Sequence, residues 1–161
     1  MYFDRTEPTD NNNNYHTGNA LLLLDSYFQL LQHTLLPRES NLKKLAKDIY
    51  HAPFVVLAHD VAADPTFFYA NLKAQQLFKM TWAEMVCLPS RLSAEPVAQE
   101  ERQQLLDRVT SNGYIDDYSG IRVSSTGERF LIERATVWNL ISSNGAVVGQ
   151  AATFSAWKKL N

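Results

Sequence analysis

The chain predicts an α+β fold, in which a five-stranded antiparallel sheet carries helices over one face and an extra helix at its N-terminus. Three observations predict it. The last third, Tyr114–Val123, Glu128–Leu140 and Ala146–Phe154, reads as three strands rich in Val, Ile, Thr, Phe and Trp. Two turns join them, Ser124-Ser125-Thr126-Gly127 and Ser142-Ser143-Asn144-Gly145, and Asn-Gly accepts the positive φ that a tight hairpin demands. Two shorter apolar runs, Phe54–Ala58 and Thr66–Ala70, supply the other strands, and helical spacing fills the gaps between.

Residues 1–16 are polar, with a run of Asn11–Asn14, and read as a disordered tail with little apolar surface to offset ordering entropy. Residues 17–37 form an N-terminal amphipathic helix that Pro37 ends. Its apolar stripe is wider than one packing surface needs. Two readings stay open: the helix covers the sheet, or Leu21, Leu22, Leu24, Phe28 and Leu31 pair with a second copy of the chain. Residues 38–161 make the domain proper. Ser40 caps a helix presenting Leu42, Leu45, Ala46 and Ile49, and His51-Ala52-Pro53 ends it. Asn71 caps the next short helix, and Thr81-Trp82-Ala83-Glu84 has capping-box spacing for another. A longer helix runs from Val97 to Ser111, stopped by Asn112-Gly113.

Bulk composition excludes several function classes. With 161 residues, 45% apolar and 20% charged, the chain suits one globular domain. A net charge of −2 gives no basic face for nucleic acid. Leu21–Leu24 is far too short to span a membrane. Cys87 is the only cysteine, so the chain forms no internal disulfide, which points to a cytoplasmic location; in an apolar setting Cys87 would be a small buried hydrophobe.

The order of strands and helices, with Phe68-Tyr69-Ala70-Asn71 leading into Leu77-Phe78, Trp82 and Glu84, resembles the PAS superfamily of sensor domains. Thr126–Glu133 is similar to the PAS hairpin. More narrowly, Ala52–Asp60, Leu88–Glu95, Val137-Trp138-Asn139-Leu140 and Gly149-Gln150-Ala151-Ala152 resemble the MEKHLA domain, of the stand-alone bacterial type. The resemblance covers about Leu21 to Trp157 and implies a PAS-like fold and a sensory role, without an established ligand.

Each cofactor known in PAS-like domains needs particular residues. The flavin photoadduct needs a cysteine where the resemblance puts Ser90, and Ile132 and Phe154 stand where polar partners of the flavin ring would be, which argues against flavin. Haem needs an axial histidine on the long helix, which has none. His59 with Asp60 and Asp64 is a weak metal pattern beside the simpler reading of a turn held by Asx hydrogen bonds. No cofactor or metal is expected.

The third reading is an unidentified small organic ligand between sheet and helices. Period-two alternation puts Phe130, Ile132, Arg134, Thr136 and Trp138 on one face, taken as inward, with Val148, Gln150, Ala152 and Phe154 inward on the next strand. Candidate pocket residues are therefore Tyr69, Ser90, Arg91, Ile132, Arg134, Thr136, Gln150 and Phe154. A rival register turns Arg134 outward. Arg91 and Glu95 also have the spacing of a local ion pair.

Enzyme motifs are lacking: no phosphate-cradling Gly-rich loop, no His-Glu-x-x-His and no nucleophile elbow, so the chain is expected to be no enzyme. The expected function is a PAS-like sensory module that binds a small molecule or associates with a protein partner as a homodimer or otherwise. The alternative is a pure interaction domain whose core its own side chains fill.

Overall fold

The computed structural model describes residues 2–160, with 96–99 as backbone only. Helix α1 (Thr17–Leu31) and α2 (Leu42–Tyr50) precede strands β1 (Val55–Asp60) and β2 (Phe67–Ala70). Helices α3 (Leu72–Phe78) and α4 (Trp82–Met85), a 3-10 turn at Ser90–Ser93 and the long α5 (Pro96–Asn112) follow. Strands β3 (Tyr114–Val123), β4 (Arg129–Ile141), β5 (Val147–Phe154) and β6 (Ala156–Lys159) complete the chain. The sheet is antiparallel in the order β2-β1-β5-β4-β3, with β6 also pairing β4.

Local signals set most boundaries. Asn71 accepts from Ala74 N at 3.1 Å, and its amide also donates to Ile49 O and Phe54 O, so one buried side chain caps α3 and ties it to the end of α2. Thr81 and Glu84 form the expected capping box on α4. The cap of α2 is Asn41 rather than Ser40, because the Asn41 side chain is the one that reaches Lys44 N. Gly113 ends α5 with φ +92°, a conformation that side chains rarely adopt.

Three expectations are corrected. The sheet has six strands, because after Ser155 the chain continues as β6 and pairs Phe130–Glu133 of β4. Helices lie on both faces: α1 and α2 share one core with Val56, Ala58, Trp138 and Leu140, whereas α3 and α5 pack with Val55, Ile132, Val137 and Phe154 on the opposite side. Residues 2–16 are built into the molecule. Phe3 is only 1% exposed and stacks on Phe68 at 3.7 Å, Arg5 pairs with Asp60 at 2.7 Å, and Trp82 Nε1 donates to Arg5 O at 2.8 Å. The polar run hid two aromatic-core contacts.

The pairing of β4 decides which side chains face inward. Gly120 pairs with Ile132 but Tyr118 pairs with Ala135, so Glu133 and Arg134 together oppose Ser119 alone. That is a β-bulge, and Arg134 carries its positive φ of 51°. Beyond it the alternation changes parity. Ile132 faces the α5 side, but so do Ala135 and Val137, while Trp138 turns to the α1 side and its Nε1 donates to Leu23 O at 3.2 Å.

Candidate functional site

A cavity of about 60 Å³ lies between the inner sheet face and α5. By the rule that a water needs roughly 10–15 Å³ in this measure, it holds about four to six waters. Its wall is mostly apolar: Leu57, Phe67, Phe78, Leu105, Ile132, Val137 and Phe154 contribute. Polar side chains join them: His59, Arg102, Arg122 and Gln150, with the hydroxyl-bearing Ser93 and Tyr118.

Each arrives by the periodicity of its element. On β1, Val55, Leu57 and His59 share one face. On α5, Arg102, Leu105, Leu106 and Val109 fall on one helical stripe. On β3, Tyr118, Gly120 and Arg122 alternate inward, and the absent Cβ of Gly120 leaves room for the Tyr118 ring. The Arg122 guanidinium lies 5.5 Å from the centre of that ring, and its Nη1 donates to Ile121 O at 2.9 Å. Arg102 donates through Nη2 to Ser90 Oγ, and Ser93 Oγ donates to Ser90 O.

The electrostatics of this wall are unbalanced. Arg102 and Arg122 are 6% and 8% exposed, and neither makes an ion pair with a carboxylate of any described residue. Burial, and then the neighbouring Arg122 charge, lower the Arg102 pKa to about 10, which leaves it a cation at neutral pH. His59 is held neutral: burial lowers its pKa to about 4, against the pull of the Asp60 carbonyl. Its Nδ1 lies 2.8 Å from Asp60 O, which can only accept, so Nδ1 carries the proton and Nε2 is the acceptor. Nε2 is buried with no partner among the described residues. Gln150 spends its amide nitrogen on Leu106 O, Thr110 Oγ1 and Asn139 Oδ1.

Of the sequence-derived pocket residues, Ile132, Gln150 and Phe154 line the cavity. Ser90 stands behind it, holding Arg102. The other four lie elsewhere. Arg134 is exposed and Thr136 half-buried on the far side of the bulge, because the parity change turns both away from α5. Arg91 is on the surface, paired with Asp64 at 3.1 Å; Glu95 pairs with Arg129, so the Arg91–Glu95 pair does not form. Tyr69 is fully buried against Trp82 on the α1 side, where burial raises its pKa and its hydroxyl has no partner among the described residues. Val148 also faces the α1 side, after a register shift between Leu140 and Ile141.

As cavity residues, Arg102 and Arg122 were missed and His59 was weighed only in a weak metal pattern, although their alternation and helical spacing were readable. The turn after β1 is the expected Asx arrangement: Asp60 Oδ1 accepts from Ala62 N and Thr66 N. Cys87 is exposed rather than buried. The α1 stripe is turned inward as well: Leu24 is buried, Leu21, Leu22 and Leu31 pack on the outer-face core, and only Phe28 is exposed, beneath the Arg38 guanidinium. No helix among the described residues is long and apolar enough to cross a membrane.

This arrangement, an antiparallel sheet cupped around a cavity by α3, α5 and the Ser90 turn, is a PAS-like fold. A PAS domain from Colwellia psychrerythraea superposes with TM-score 0.60 at 16% identity, covering 74% of this chain and 96% of that one. An RNA-binding light-oxygen-voltage receptor gives TM-score 0.61 at 18% identity over 79% of this chain and 35% of the receptor. The light-oxygen-voltage domain of the blue-light photoreceptor Aureochrome1 gives 0.52 at 16%, over 78% of this chain and 86% of that one. No curated protein matches in sequence. The chain belongs to the MEKHLA domain family, whose model matches residues 18–159.

Proposed function

We propose that this MEKHLA domain is a non-catalytic sensory module that takes a small organic molecule into the cavity beneath α5 and reports its occupancy to a protein partner. The observation that carries this reading is the cavity itself: a space of about 60 Å³ whose wall combines apolar side chains with buried polar ones. A core meant only as scaffold would fill that space with its own side chains. The size points to a small molecule, since pockets for drug-sized ligands run to roughly 300–1,000 Å³. The residue in the flavin-cysteine position, Ser90, accepts from Arg102, which favours a ligand other than a flavin.

Helix α5 is the element through which occupancy would be felt, because Arg102, Leu105 and Leu106 form one wall of the cavity. The single thiol, exposed at Cys87, suits a reducing cytoplasm. Much of the α1 stripe packs within the chain, with Leu24 buried and Leu21, Leu22 and Leu31 half-buried, so a homodimer through it would rest on Phe28 and the exposed parts of those leucines.

Xenon tests the reading without knowledge of the ligand. Under xenon pressure, methyl NMR signals of Leu105, Ile132 and Val137 should shift, while those of Leu23 and Leu45 in the outer-face core stay put. A core that admits no xenon would leave only the interaction-domain alternative.

A further inference from the structure

The chemistry of the cavity wall narrows the ligand class, taking the cavity reading above as its basis. Arg102 and Arg122 place two guanidiniums in one small, mostly apolar space, and no carboxylate of a described residue pairs with either. Their protein partners are neutral: Ser90 Oγ for Arg102, and Ile121 O and the Tyr118 ring face for Arg122. Buried like charges repel, and an anion is what offsets them. Guanidinium groups present planar, paired N–H donors, a geometry that suits a carboxylate. The third polar feature has the opposite character. His59 Nε2, on the same cavity, is a buried acceptor without a partner among the described residues, so it calls for a donor from the occupant.

An anion with a nearby hydroxyl satisfies both. We propose that the cavity takes a short hydroxy acid of roughly three or four carbons, matched to a space of about four to six waters, with its carboxylate against Arg102 and Arg122 and its hydroxyl donating to His59 Nε2. The aliphatic part of the molecule then meets Ile132 and Phe154. Inorganic phosphate shares the charge but leaves that apolar wall uncovered.

The test is a titration of the full chain, followed by the methyl signals of Leu105 and Ile132. Its probes are lactate, 3-hydroxybutyrate, propionate, lactamide and inorganic phosphate. One of the two hydroxy acids should bind best. Lactamide, which keeps the hydroxyl and loses the charge, should bind at least about tenfold more weakly than lactate, and propionate several-fold more weakly. R102M and R122M should each weaken hydroxy-acid binding about tenfold or more. H59L should erase the difference between lactate and propionate while leaving propionate unchanged, an outcome that mere loss of packing would not produce.

Equal binding of lactamide and lactate, or tighter binding of phosphate, overturns the hydroxy-acid assignment. Xenon entry with no binding of any acid also overturns it and leaves the small-molecule cavity standing. Exclusion of both xenon and the acids removes the two readings together.

Discussion

At the residue scale, the buried neutral His59 has a consequence for acid stability. Burial is the main cause of its low pKa; the charged groups around it are Asp60, Arg102 and Arg122. Its folded pKa of about 4 lies below the ordinary histidine value of 6.5, so the unfolded chain takes up the proton first as the pH falls. Stability from this group is therefore complete above about pH 6.5 and is lost as the pH drops toward 4, a total of about 3 kcal/mol. Urea unfolding of the protein and of H59Q between pH 7 and pH 4 checks this. The variant should lose markedly less stability on acidification, and equal losses would refute the assignment.

Four other residues show how far local signals reach. Asn71, Thr81 and Glu84 do at their helix ends what their residue types announce, because capping is a contact among near neighbours in the chain. Arg134 announces nothing. Its left-handed backbone comes from the way β4 meets β3 and β6, and an arginine has no intrinsic preference for it.

At the scale of elements, that bulge governs the site. Strand β4 pairs β6 before it and β5 after it, and the change of parity brings Ala135 and Val137 to the cavity in place of Arg134 and Thr136. A non-glycine residue in the left-handed region costs about 1–2 kcal/mol, and a β-branched one more. R134G should therefore hold or slightly raise stability, R134I should lower it by about 1–2 kcal/mol, and neither should change xenon uptake. Thermal melts with the methyl spectra measure both. A loss of cavity signals in R134G would mean that the arginine side chain, rather than the bulge, shapes the site.

The five strand-like runs and the α5 stripe were legible because each buries one face, and burial on one face writes a period into the sequence. The sixth strand was not. Ala156–Lys159 is half exposed at the sheet edge, so it has neither an apolar run nor clean alternation.

Across the whole molecule, the first residues close the outer face. Phe3, the short turn at Asn14–His16, α1 and α2 form one continuous core with Phe68, Trp82 and Trp138. His16 is buried there and stacks on Trp82 with ring centres 5.8 Å apart. F3A should cost roughly 3–5 kcal/mol, the range for a fully buried phenylalanine, whereas a disordered tail would make the substitution neutral. Chemical denaturation measures it directly.

The sequence alone determined the α+β class, the order of the helices and the first five strands, the caps of α3 and α4 and the hairpin turns, because these rest on periodicity and on contacts a few residues apart; its motif blocks also carried the family resemblance. Tertiary structure alone decided the inward parity of β4, the partnering of Arg91 with Asp64, the burial of Phe3 and the meeting of Arg102 with Arg122 and His59. Those facts depend on pairings between segments tens of residues apart. One extra residue in a strand reverses every side chain beyond it, and no local preference records where that residue falls.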